Sequence, residues 1–145
     1  MSITDQTIAD FKYYFHAIRG FQATPTKQTN GDGKRKFNYR AIEHKLTDQD
    51  WRNHFKTEVG LTPSPIVEES QCDWGAIDID EYTVEGKKEL IAKAKTLKLV
   101  PAETKSGGLH LYCFSKDEVQ ARNMRAYLSH CRKELKLDPK TEIFP

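Results

Sequence analysis

The sequence predicts an α+β fold, and three observations carry that prediction. Beyond residue 71, "WGAIDID" and "LHLYCF" alternate apolar and polar residues, and "LVPAET" and "TEIFP" read as two further short strands. Period two is the mark of a strand with one covered face. Two longer stretches, "TVEGKKELIAKAKTLK" and "SKDEVQARNMRAYLSHCRKELK", place apolar residues at helical spacing instead. The chain has 145 residues, 37% of them hydrophobic, which suffices for one core in a single domain with a smaller N-terminal subregion.

Taken in order, "TDQTIADFKYYFHAI" offers a cap at Thr4 or Asp5, then Ile8, Phe11, Phe15 and Ile18 on one helical face. "GFQATPTKQTNGDGKRK" is rich in Gly, Thr, Asn and Pro and reads as an extended loop, mobile at Asn30 to Gly33. "LTDQDWRNHFKTEV" is a short helix capped at Thr47 or Asp48, and Pro63 and Pro65 enforce an extended crossing. Residues 1–71 therefore form a mostly helical and irregular segment. From residue 72 the order is β-α-β-β-α-β. Leu90, Ile91, Ala94 and Leu97 stripe the first helix; Met124, Leu128, Cys131 and Leu135 stripe the second, which starts from a cap at Ser115 or Asp117. Pro101 confines its strand to an edge. This order is the split βαβ arrangement of ferredoxin-like and RRM-like folds, with the first and third strands central and the fourth beside the first.

Alternation assigns the faces. Ile77 and Ile79 turn to the helices, so Asp78 and Asp80 face the open side, and Trp74 anchors the start of that strand. Leu109, Leu111 and Cys113 belong to the core, which leaves His110, Tyr112 and Phe114 outside. Ile143 faces in and Glu142 out. Three acids and one histidine from three strands thus converge on one surface. Two like charges about 4 Å apart at an effective dielectric of about 20 repel by about 4 kcal/mol. A hard divalent ion such as Mg²⁺ or Mn²⁺ relieves that repulsion and suits oxygen ligands. In nucleotidyl transfer a pair of such ions activates a 3′-hydroxyl and stabilises the departing pyrophosphate.

"KSGG" supplies the complementary half. A glycine-rich turn lets backbone N–H groups approach phosphate, while Lys105 brings a charge and Ser106 a hydroxyl beside Gly107, Gly108 and His110. Carboxylates on one strand and a phosphate cradle opening its neighbour describe a nucleoside triphosphate site. His16, His44, His54 and His130 have no ligand spacing. Cys72, Cys113 and Cys131 form no CxxC pair, which excludes a disulfide framework and places the chain in a reducing cytoplasm. No run is long and apolar enough to span a membrane, and the N-terminus lacks signal-peptide features. The net charge of +2 is unevenly spread. "KRKFNYR", with Lys34, Arg35, Lys36 and Arg40, and residues 122–136 are basic, and read as solvated faces or as phosphate contacts.

"WGAIDIDEY", "TKSGGLHLYCF" and "EIFP", in that order, resemble the three signature motifs of archaeo-eukaryotic primases, and most of all the primase-polymerase domains of phages and mobile elements. The likeness is strong over residues 72–145 and fainter upstream. It implies template-directed synthesis from NTPs or dNTPs with Mg²⁺ or Mn²⁺. Asp78, Asp80 and Glu142 would be the catalytic metal ligands, with Ser106 and His110 on the triphosphate. Glu142 departs from the commoner Asp at the third position. Members of the family continue past this point, so the resemblance also implies an N-terminal portion, a single-stranded DNA template as partner, and a helicase or other domain to follow. Two other readings stand beside it: a non-catalytic RRM-like module that binds single-stranded nucleic acid, and a template-independent nucleotidyl transferase or cyclase.

Overall fold

A computed structural model describes residues 3–29, 31, 35–57, 59–81 and 83–145, leaving the Arg35 side chain aside. The α+β class holds, with four α-helices and seven strands in two antiparallel sheets among these residues. The chain divides into two units, Met1–Val67 and Glu68–Pro145.

The first unit contains α1 (Asp5–Tyr14), β1 (Gly20–Thr29), β2 (Arg35–Ala41), α2 (Asp48–Lys56) and β3 (Gly60–Pro63). Both helices begin where a threonine side chain meets an orphan backbone N–H. Thr4 Oγ1 accepts from Thr7 N at 3.1 Å, and Thr47 shares a capping box with Asp50. Lys12–Asp48 and Arg52–Asp5 join the helices across their polar faces. Phe11 stacks on Phe15 and meets Phe55 edge-on, with centroids 5.7 and 4.7 Å apart. Helix α1 ends at Tyr14, so Ile18 lies outside its stripe. The segment expected as an extended loop instead forms β1 and leads into β2, giving a sheet of order β2-β1-β3. Its backbone is extended as expected, but ladder partners six or more residues away turn that extension into strand. Asn30, Asp32 and Gly33, within the stretch expected to be mobile, lie outside the described residues.

The second unit is β4 (Gln71–Ile79), α3 (Val84–Thr96), β5 (Val100–Glu103), β6 (Leu109–Gln120), α4 (Ala121–Glu134) and β7 (Glu142–Phe144), after a short 3₁₀ turn at Glu68–Ser70. The sheet order is β5-β6-β4-β7, with β4 and β6 central and β5 at an edge. Ile77, Ile79, Leu109, Leu111 and Ile143 pack against Ala94, Met124, Leu128, Cys131 and Leu135 from the two helices. Gly75 lies under α4: a Cβ there would meet Phe144 O at 2.7 Å and the side chains of Met124 and Leu128 at 2.8 Å. That closeness lets α4 and β7 settle onto β4.

One expected boundary is corrected. The second helix begins at Ala121, not near Ser115, because β6 continues to Gln120. Cys72 pairs with Val119 and Gln71 with Gln120, beyond an irregularity that skips Asp73 on β4 and 115–118 on β6. Pairing of Val119 and Gln120 with β4, on the far side of "SKDE", holds that stretch in the strand against its helical tendency. Gln120 caps α4 without a side-chain hydrogen bond.

Candidate active site

The local rule that places side chains alternately along a strand becomes a site only through register. Asp78 on β4 is the direct partner of His110 on β6 and of Glu142 on β7. Directly opposed residues point to the same face with Cβ atoms about 5 Å apart. Asp78 therefore stands between a histidine and a carboxylate on the face away from the core. His110 Nε2 is 3.2 Å from Asp78 Oδ1, and both side chains remain partly open to solvent. The other ring nitrogen, Nδ1, lies 2.9 Å from the Tyr112 hydroxyl. Burial, reinforced by the Asp78 charge, pushes the Tyr112 phenol up to about 12, so it stays protonated and can donate. Tyr112–His110–Asp78 is thus a continuous polar chain across two strands.

Behind the histidine runs an aromatic row. Tyr112 stacks on Phe114 at 6.0 Å and lies 6.2 Å from buried Trp74. The row fixes the Tyr112 ring, and through it the orientation of His110.

Asp80 is exposed and follows the last residue of β4. It stands near Asp78 in the chain but outside the ladder that holds Asp78 and Glu142 in register. Among the described residues, no three His, Cys, Asp or Glu side chains are already drawn together as metal ligands. The donor set nevertheless fits a hard divalent ion: Asp78 and Glu142 present carboxylate oxygens on one face, with Asp80 two residues on.

The turn between β5 and β6 holds the other expected residues. Thr104 N donates to Gly108 O at 3.0 Å, and Gly107 N to Thr104 O at 2.9 Å. Gly107 has φ of 90°, a conformation that favours glycine. Its N–H is directed into the turn, so the groups that the turn presents outward include the hydroxyl of Ser106, 3.0 Å from Thr104 Oγ1, and Lys105. Desolvation lowers the Lys105 pKa from the ordinary lysine value.

Lys87 is the residue that sequence reasoning missed. From the first turn of α3, its ammonium donates to Gly107 O at 3.3 Å and pairs with Glu103 at 3.2 Å. It is 13% exposed and ties both ends of the turn to the helix layer. Twenty residues separate it from Gly107, and no local pattern marks it. Arg125 is a second such residue: it donates from α4 to Pro145 O at 2.9 Å and to Ile143 O at 3.4 Å, securing the strand that carries Glu142.

The basic stretch of the first unit divides. Lys34 lies outside the described residues, as does the side chain of Arg35, while Lys36 and Arg40 are exposed on β2. His54 accepts from Leu61 N at 3.0 Å, a structural role that suits its lack of ligand spacing. No described helix is long and apolar enough to cross a membrane.

No curated protein matches the chain. A family model does: the one for the TOTE conflict system, Archaeo-Eukaryotic Primase domain, matches residues 9–143. That span takes in β4, the Gly107 turn and β7 together, and the chain belongs to this family of primase-type nucleotidyl-transfer domains.

Proposed function

We propose that the chain is the catalytic domain of a primase-polymerase, which extends or initiates strands on a single-stranded DNA template from nucleoside triphosphates. The observation that carries this reading is the register of Asp78 with His110 and Glu142 across three strands. Asp78, Asp80 and Glu142 hold Mg²⁺ or Mn²⁺. When bound, the ions lower the pKa of the attacking hydroxyl and stabilise charge on the leaving pyrophosphate. His110 orients the Asp78 carboxylate through Oδ1 and leaves the second oxygen for a cation. Ser106 and Lys105 meet the triphosphate at the turn, with His110 at the adjoining end of β6. Lys36 and Arg40 are available to template phosphates.

The test is primer synthesis on single-stranded DNA with Mg²⁺ or Mn²⁺ and either NTPs or dNTPs, comparing the native chain with Asp78→Ala/Asp80→Ala. The native chain incorporates nucleotide and the variant does not. Equal incorporation by both overturns the reading, and incorporation that needs no template favours a transferase of another kind.

A further inference from the structure

Apart from Arg125, which secures β7, the basic stretch at residues 122–136 has no part in the site described above. At about 100° per residue, Arg122, Arg125, Ser129, Arg132 and Lys133 fall within roughly 100° of arc on α4. The stripe runs about 16 Å along the helix axis from Arg122 to Lys133. Lys136 follows the helix, and Lys140 stands in the loop before β7. The buried stripe of Met124, Leu128, Cys131 and Leu135 occupies the neighbouring arc, so the basic one flanks it on the side of β7. Arg125 and Arg132 establish that direction, since they donate to carbonyls at Ile143, Pro145 and Thr141.

Between α4 and β7 lies an open cleft of about 320 Å³, and Arg125, Arg132, Lys140 and Thr141 are among its lining residues. Glu142 is the one acid among the cleft's lining residues. Among the described residues, none of the six cations from Arg122 to Lys140 pairs with a carboxylate, although ion pairs form elsewhere in both units. Asp138 is turned to the backbone, accepting from Lys140 N at 2.7 Å, and Glu134 falls on the opposite flank of the helix. Like charges gathered along one line without counterions repel one another, and a linear polyanion relieves that repulsion while releasing its own condensed cations.

We propose that the α4–β7 flank is a second nucleic-acid surface, one that grips the sugar–phosphate backbone of a strand without reading its bases. The choice of nucleic acid over another polyanion rests on the primase reading; the placement rests on the stripe and cleft alone. Arg122, Lys133, Lys136 and Lys140 make the outer contacts, and Arg125 and Arg132 form the floor while holding β7. Because β7 carries Glu142, a strand lying on this flank passes beside one wall of the proposed catalytic face.

The test is fluorescence anisotropy of labelled single-stranded oligonucleotides with the full chain, titrated over a series of salt concentrations. The variant is Arg122→Gln/Lys133→Gln/Lys140→Gln, which spares the two arginines bonded to β7. The expected result is weaker binding at low salt and a log K against log salt slope shallower by about 2, since each lost contact removes about 0.7 on a single strand. Oligonucleotides of different base composition bind alike, and Arg122→Lys restores the slope at that position. Asp78→Ala/Asp80→Ala keeps the native slope, which separates this surface from the proposed metal site. An unchanged slope in the triple variant overturns the proposal even where primer synthesis succeeds. So does absence of oligonucleotide binding by the native chain, or a preference for polyglutamate over DNA. Conversely, a shallower slope with no Mn²⁺ at Asp78 overturns the catalytic reading and leaves this surface standing.

Discussion

His110 Nε2 lies 3.2 Å from Asp78 Oδ1, and the two are direct partners across β4 and β6. The contact anchors one carboxylate oxygen of a proposed metal ligand, and Tyr112 holds the far side of the imidazole. Groups that orient a ligand from behind typically change metal affinity or activity by about 10–100-fold when removed. His110→Ala is therefore expected to weaken Mn²⁺ binding by that factor, measured by electron paramagnetic resonance of free Mn²⁺. Tyr112→Phe should produce a smaller loss in the same direction. Unchanged Mn²⁺ affinity in His110→Ala would count against the orienting role.

Gly75→Ala tests how β7 is held. The new methyl meets Phe144 O at 2.7 Å and two helix side chains at 2.8 Å, and overpacking of this kind typically destabilises by about 1–3 kcal/mol. Chemical denaturation should show that loss. Mn²⁺ affinity should fall with it, because displacing Phe144 displaces Glu142 two residues away.

Lys87→Met removes the tie between α3 and the turn at Gly107 while keeping the apolar stem. The turn keeps its two internal backbone bonds, so it should persist but lose its fixed position. Nucleoside triphosphate binding is expected to weaken by about tenfold, the scale of one lost net hydrogen bond to a charged group. In a primer-synthesis assay, KM should rise more than kcat falls.

Lys98 follows α3 with φ of 55°, and Leu99 N closes the helix end onto Ala94 O at 3.0 Å. Glycine is the residue that this left-handed position favours, and side chains there are strained by roughly 1 kcal/mol. Lys98→Gly should raise stability by up to about 1 kcal/mol, read as a higher denaturation midpoint with an unchanged slope.

Burial, then the neighbouring Asp73 charge, pushes the Cys72 thiol up to about 11. The folded chain favours the protonated thiol, whereas the unfolded chain ionises it near the usual 9. The unfolded state then binds fewer protons, so stability is full below pH 9 and declines as pH rises toward 11. Denaturation midpoints followed across that range should fall, and less steeply in Cys72→Ala. Thiol reagents at pH 8 should spare Cys72 until denaturant is added.

What the sequence alone determined is what a short range of residues can encode. Strand alternation put Asp78, His110 and Glu142 on the outward face, and helical spacing put Leu128 and Cys131 inside, because both patterns follow from backbone periodicity. The order of elements then restricted the sheet to a few topologies, and the one with β4 beside β6 and β7 is the one observed. Tertiary structure decided the rest through pairings between distant residues. Gly20–Thr29 and Arg35–Ala41 became paired strands, and β6 ran on to Gln120, because each found ladder partners that the local sequence pattern does not mark. Lys87 and Arg125 reached the site by donating to backbone carbonyls, Gly107 O and Pro145 O, which every residue possesses and no motif records. The separation of Asp80 from the paired carboxylates came from where β4 ends at Ile79, one residue before the alternation does.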